Sequence, residues 1–263
     1  MDLQLKGKKA FISGSTQGIG LSIALKLLEE GANVVINGRN VEKINSVLEK
    51  LQKQFPDSEV SGIVADFAKR EEVISLSEKL FDVDVLINNV GVFGVNDFYE
   101  IPDEDWYQYF EINVMSGMRL SRKLLPEMIR RNSGRIIFIS SESGVNIPEN
   151  MIHYGMTKAA MSALSNGLSK LTKGTSVTVN TILGGPTYSD GVAMAIEHIA
   201  ETQNLTVEQM KDLIIRQSNP HILLQRFINP EEIANLTIFL SSPLSIATNG
   251  ASLRADSGVL KII

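Results

Sequence analysis

The chain contains no cysteine, which excludes disulfides, thiolate nucleophiles and Cys-ligated metal sites and suits a reducing compartment. Histidine is nearly as scarce. His153, His198 and His221 are scattered, and no His/carboxylate cluster marks a metal site. Basic tracts are missing too: the net charge is −5 and the pair Arg130-Arg131 is too short for a nucleic-acid surface. No stretch approaches the ~18 consecutive apolar residues of a membrane span. The opening Met1-Asp2-Leu3-Gln4-Leu5-Lys6 lacks the basic start and long apolar run of a secretory leader. The expectation is a cytoplasmic protein with neither nucleic-acid nor membrane partners.

What is present reads as an α/β protein. At 43% apolar and 21% charged, the composition is that of a folded globule. Runs rich in Val and Ile at 9–13, 33–37, 60–65, 83–88, 134–140, 176–183 and 251–255 predict strands. Their nearly continuous apolar character fits a parallel sheet covered on both faces. Helical patterns lie between them at 18–30, 41–55, 69–80, 103–131, 153–173 and 230–240. In the first, Ile19, Ile23, Leu27 and Leu28 form one apolar stripe for packing on the sheet. This alternation predicts right-handed crossovers and a doubly wound parallel sheet. No linker or repeat divides 1–263, so one domain is expected. Residues 184–229 interrupt the alternation, with helices at 191–202 and 206–217, and read as a substrate-covering lid or a packed surface insertion.

The first strand runs into Gly14-Ser15-Thr16-Gln17-Gly18-Ile19-Gly20 and then a helix. Glycines here permit a tight turn and close approach of backbone N–H groups to a pyrophosphate, which the helix N-terminus also favours. The spacing G-x-x-x-G-x-G differs from the G-x-G-x-x-G fingerprint, and it is the place in the first βα turn that points to a dinucleotide. After the second strand comes Asn37-Gly38-Arg39-Asn40, with no acid before Glu42. An acid would bond the ribose 2′-hydroxyl of NAD, whereas Arg39 suits the 2′-phosphate of NADP(H). Asp66 ends the third strand, as an adenine contact or a helix cap. Asn88-Asn89-Val90-Gly91 ends the fourth, where the amides can tie strands together and Gly91 can admit a cofactor.

Tyr154 and Lys158 stand four residues apart in a helical pattern and so share a face. An ammonium near a phenol lowers its pKa from ~10 toward a useful proton donor. Alone, such a pair is ordinary. Ser141, thirteen residues before Tyr154 and at the end of a buried-type strand, can bond the same substrate oxygen. A turn or cap role for Ser141 or Ser143 is the alternative, and it fits Ser143 better.

Together these residues resemble the short-chain dehydrogenase/reductase family. The resemblance rests on Gly14-x-x-x-Gly18-x-Gly20, Asn88-Asn89-Val90-Gly91, Asn113 in Ile112-Asn113-Val114, Ser141 and Tyr154-Gly155-Met156-Thr157-Lys158. Gly185-Pro186-Thr187 and Arg226-Phe227 through Pro230-Glu231-Glu232-Ile233-Ala234 extend it along nearly the whole chain. It implies a Rossmann-type sheet of seven parallel strands and a tetrad of Asn113, Ser141, Tyr154 and Lys158. Tyr154 is then the general acid/base, Lys158 binds the nicotinamide ribose, and Asn113 holds a relay water. Thr187 and Ser189 fall near the nicotinamide amide and pyrophosphate, Asp66 and Phe67 beside the adenine, and Asn89 along the ribose. Three positions depart from the family pattern. Val90 replaces a usual alanine, Gly184 a usual proline, and Gln17 is not the basic residue many NADPH-preferring relatives carry.

The expected activity is NADPH-dependent reduction of a small carbonyl compound. An NAD-linked alcohol or polyol dehydrogenase, or a catalytically idle nucleotide-binding regulator, are the alternatives. Tyr188, Met194, Ile196 and Ile199 of the lid, with Asn146, Ile147 and Met151, suggest a mostly apolar pocket. His153, beside Tyr154, reads as a helix-start residue or a substrate contact. The helices at 103–131 and 153–173 resemble those through which relatives form dimers and tetramers.

Overall fold

A computed structural model describes residues 1–261. Seven parallel strands form one sheet in the order β3-β2-β1-β4-β5-β6-β7. They are β1 (Lys9–Ile12), β2 (Asn33–Gly38), β3 (Val60–Val64), β4 (Val85–Asn88), β5 (Gly134–Ser141), β6 (Val177–Gly184) and β7 (Ser252–Ala255). Side chains alternate across a strand, so neighbours serve opposite cores. Ile12, Ile36 and Ile137 join one cluster with Ile23, Leu27 and Ile233 of α1 (Gly18–Glu29) and α9 (Pro230–Ser241). Phe11, Val35 and Ile136 join the other, with Val73 of α3 (Arg70–Glu78), Leu120 of α5 (Ser116–Arg130) and Met161 of α6 (Ile152–Lys170). Two buried faces require continuous apolar strands, and β4, β5 and β6 are buried at every residue. The helix α2 (Val41–Gln54) completes the first layer through Ile44, Val47 and Leu51.

One element differs from the sequence expectation, and the helices expected at 191–202 and 206–217 are present within a residue of those bounds. The single helix expected at 103–131 is three pieces: α4 (Asp103–Phe110), a π-helical turn at Glu111–Met115, and α5. In the π turn the Ser116 N–H donates to the Glu111 carbonyl, one residue wider than an α-helix. Residues 190–218 carry α7 (Asp190–Thr202) and α8 (Val207–Ser218). These helices build a small core of their own from Ile196, Ala200, Met210, Ile215, Ile222 and Phe227.

The sheet reverses direction of winding at β1 and β4. The crevice outside their carboxyl ends is where an open α/β sheet binds ligands, and the segments that follow β1, β4 and β5 all open there.

Candidate active site

The floor of the crevice is a hydrogen-bonded lattice. Ser13 Oγ accepts from the N–H groups of Asn89 (2.9 Å) and Val90 (3.0 Å). Asn89 Nδ2 donates back to the carbonyls of Ser13 (2.9 Å) and Gly14 (3.0 Å). Asn89 therefore ties β1 to the end of β4, whereas Asn88 lies buried with Nδ2 3.4 Å from Ser121 Oγ. On the other side Gly14 N–H donates to Asn37 Oδ1 (2.9 Å), and Ser15 Oγ both donates to the Ile12 carbonyl (2.8 Å) and accepts from Asn37 N–H (2.9 Å). Gly14 and Gly18 have φ of +62° and +58°, which favours glycine at both. A Cβ on Gly14 would stand 3.3 Å from Val90 Cα. The valine that departs from the family's alanine thus packs against the loop.

Arg39 follows β2 directly, exposed, with no partner among the described residues. The sequence reading missed Lys43. It sits in the first turn of α2, whose Asn40 cap accepts from its N–H (2.7 Å), and its ammonium donates to the Gln17 side chain of the glycine loop. Gln17 is not basic, but it anchors a lysine beside Arg39, and the four-residue spacing was the available signal. Asp66 is not a helix cap: its carboxylate accepts from Ala68 N–H (3.0 Å) in a tight turn before α3. The Phe67 side chain is buried in the core, so only its backbone remains to border a ligand.

The tetrad residues converge at the end of β5. Lys158 Nζ is buried, donates to the Ile139 carbonyl (3.0 Å) and lies 5.5 Å from the Tyr154 ring centroid. A Cβ on Gly91 would stand 3.4 Å from both Lys158 Nζ and Asn113 Oδ1. Asn113, inside the π turn, accepts from Val92 N–H (2.8 Å) and donates to the Val92 carbonyl (3.0 Å) and Thr157 Oγ1 (2.9 Å). Its amide clamps the loop after β4 to α6 and has no bond left over for a water at Nδ2. Asn113→Ala should lower stability by about 2–3 kcal/mol, since it leaves buried polar groups unpaired. A urea-denaturation shift under about 0.5 kcal/mol would contradict the clamp.

Electrostatics correct one expectation. Burial of the phenol pushes Tyr154 above its ordinary range, against the hydrogen bond with Ser141 that lowers it. Burial pulls Lys158 down to about 8. In this state desolvation of both charged forms dominates.

Ser141 rather than Ser143 is the cap. Its Oγ accepts from Ser143 N–H (3.1 Å) at the start of a short 3₁₀ turn, Glu142–Gly144. Phe93, also missed, packs edge-on to Tyr154 with centroids 6.3 Å apart and walls the site. His153 is no substrate contact. It is fully buried against Tyr109, at 4.2 Å, and Trp106.

Beyond β6, Thr187 Oγ1 donates to the Gly185 carbonyl (2.9 Å), and Ser189 packs against Gly18. Asp190 was also missed: its carboxylate accepts from Gly18 N–H at 2.6 Å and fastens α7 to the glycine loop. Ile196 does not line the pocket, being buried within the α7–α8 core, and Tyr188 packs on Phe227 under Lys211. Met194 is exposed. A cleft of about 420 Å³ separates Val145 and Asn146 from Asn219, His221 and Ile222.

The chain matches the short chain dehydrogenase family over residues 8–200. It belongs to that family. It is an NAD(P)-dependent oxidoreductase of alcohol and carbonyl groups. It is 42% identical to the uncharacterized oxidoreductase YvaG of Bacillus subtilis (strain 168), with 100% of each chain covered. It is 27% identical to the 3-oxoacyl-[acyl-carrier-protein] reductase FabG of Aquifex aeolicus (strain VF5), covering 98% of this chain and 100% of the relative. Among solved structures, L-sorbose reductase from Gluconobacter frateurii, complexed with NADPH and L-sorbose, is similar with a TM-score of 0.94 at 30% identity and full coverage of both chains. No described helix is long and apolar enough to cross a membrane, and the described residues hold no cluster of three or more His, Asp or Glu side chains placed to bind a metal.

Proposed function

We propose that this dehydrogenase reduces a small carbonyl compound with NADPH, Tyr154 delivering the proton. The observation that carries the reading is the convergence of Ser141, Tyr154 and Lys158 beside a glycine-lined crevice. The crevice fits the cofactor's chemistry. Its glycines leave room where a Cβ would fill the cradle, and Arg39 is a guanidinium with no carboxylate partner among the described residues.

In this reading Gly14, Ser15, Thr16, Gln17, Gly18, Ile19 and Gly20 hold the pyrophosphate with Ser189, while Thr187 meets the nicotinamide amide. Arg39 and Lys43 hold the 2′-phosphate. Asp66 and the Phe67 backbone border the adenine, and Asn89, Val90 and Gly91 line the ribose. Bound there, the nicotinamide supplies hydride to the carbonyl carbon. Tyr154 protonates the carbonyl oxygen and Ser141 donates to it. Lys158 lies near the phenol and favours its ionised form once the proton has left. Asn113 acts by fixing the loop against α6. Residues 184–229 act as the lid, latched by Asp190. That the similar L-sorbose reductase was solved with NADPH supports the cofactor assignment. The exposed Tyr107 and Met156 on α4 and α6 support self-association through these helices, as a dimer or tetramer.

The cofactor assignment is tested by titrating NADPH and NADH into the wild type and the variants Arg39→Ala and Lys43→Ala. Each substitution should weaken NADPH roughly 10–100-fold, the loss of a charge-assisted hydrogen bond of about 1.5–3 kcal/mol, and leave NADH unchanged. Tighter binding of NADH by the wild type would overturn it.

A further inference from the structure

One acid in the crevice has no part in the tetrad. Glu142 follows Ser141 directly, its carboxylate folds back, and the Ser141 hydroxyl donates to Glu142 Oε2. Ser141 Oγ already accepts from Ser143 N–H. With its only proton given to Glu142, the hydroxyl has just a lone pair to offer toward Tyr154 and any substrate oxygen. That polarity suits an alcohol and opposes a carbonyl.

We propose that Glu142 is a positioning residue whose proton decides whether Ser141 donates to, or accepts from, the substrate oxygen. Neutral Glu142 donates its own O–H to Ser141 Oγ. Ser141 then accepts from Glu142 and Ser143 and turns its proton onto the carbonyl oxygen, completing a second donor beside Tyr154. Ionised Glu142 accepts the Ser141 hydroxyl's hydrogen bond instead and leaves Tyr154 as the lone donor of the two. The inference rests on the tetrad reading above and adds a residue to it.

The surroundings favour the neutral form. Burial pushes the Glu142 carboxyl up, and the nearby Asp256 carboxylate pushes the same way, while Ser141 and the backbone N–H groups of Glu142 and Ser143 oppose. The groups facing it are Asp256 after β7, itself paired with Arg254 at 3.1 Å, and Tyr154 and Lys158 on α6. As pH rises, Glu142 ionises and reduction weakens.

The test compares wild type, Glu142→Gln and Glu142→Ala, with NADPH as reductant and L-sorbose and acetoacetyl-coenzyme A as probe carbonyls. Wild-type kcat/KM should step down roughly a hundredfold as Glu142 ionises, the cost of one lost donor to a developing oxyanion. The descent near pH about 8, where Lys158 loses its proton, is separate. Glutamine donates at every pH, so Glu142→Gln should keep the low-pH activity and lose only the Glu142 step. Glu142→Ala removes the carboxylate that competes for the Ser141 proton, so it too should lose the Glu142 step. A Glu142→Gln profile superimposable on wild type would overturn the inference. Infrared difference spectra give a readout that needs no turnover. A protonated-carboxyl band absent from Glu142→Gln should titrate above the ordinary carboxylate range, and titration within that range overturns the inference. Tyr154→Phe run alongside separates the two levels. If it keeps turnover the tetrad reading fails, and if it is inactive while Glu142→Gln is unchanged, only the role of Glu142 fails.

Discussion

Tyr154→Phe should lower the turnover of NADPH with a carbonyl substrate by roughly 10³-fold, the range of a lost general acid, and leave NADPH affinity within about twofold. The substitution removes one oxygen from the reacting centre and keeps the ring that packs on Phe93. Folding should be unaffected, and a thermal melt checks it. The kinetic effect should fall on kcat, because the phenol acts at the transferring proton rather than in binding. The pH dependence has a definite sign. Lys158 titrates near about 8 and carries its charge below that value. Reduction assisted by its ammonium is therefore retained below about 8 and declines as pH rises through it. A Tyr154→Phe enzyme with undiminished turnover would refute the proton-donor assignment.

Gly20→Ala should abolish cofactor binding more completely than any single polar substitution in the crevice. A Cβ at Gly20 would stand 2.3 Å from the Gly14 carbonyl oxygen, 2.6 Å from Asn89 Nδ2 and 2.9 Å from Ser15 Cα. Two of these neighbours are backbone and cannot swing aside. The third is the amide that ties β1 to the end of β4. Relief requires the glycine loop to lift off the sheet, at a cost of about 1–3 kcal/mol for overpacking. The displaced N–H groups are the ones proposed to meet the pyrophosphate. The expected result is NADPH affinity weakened by at least roughly 100-fold, together with a lower melting temperature. Gly167→Ala is the control. Nothing lies within 4 Å of a Cβ there, and in the last turn of α6 alanine should be neutral or stabilising by up to about 1 kcal/mol. Equal NADPH affinity in the two variants would contradict the description of the cradle.

The sheet was readable from sequence because a strand buried on both faces is apolar at most positions, with polar side chains such as Ser141 the exceptions. For that reason the expected end of the fifth strand missed Ser141 by one residue. What was not readable follows from interactions that leave no periodic signature. The π turn around Asn113 keeps an unbroken helical pattern, since widening one turn by a residue barely alters which side chains are apolar. Ile196 and Phe67 are apolar side chains near a proposed pocket, and only the packing shows that both point into cores. Lys43 and Asp190 act across 26 and 172 residues of chain, on Gln17 and Gly18. The Tyr154–Lys158 spacing gave the shared helix face and missed the sign of the electrostatics. Burial depends on what covers the helix, and here it raises the phenol and lowers the amine.

The most direct test of NADPH-linked carbonyl reduction follows the hydride itself. NADPH deuterated on the transferring face of C4 is incubated with the protein and a panel of aldehydes, ketones, oxoacyl esters and sugars, and the products are weighed by mass spectrometry. The account predicts deuterium on the carbinol carbon of at least one product with the wild type, and none above background with Tyr154→Phe. Deuterium remaining on the cofactor with every carbonyl, in a protein that binds NADPH tightly, would contradict it.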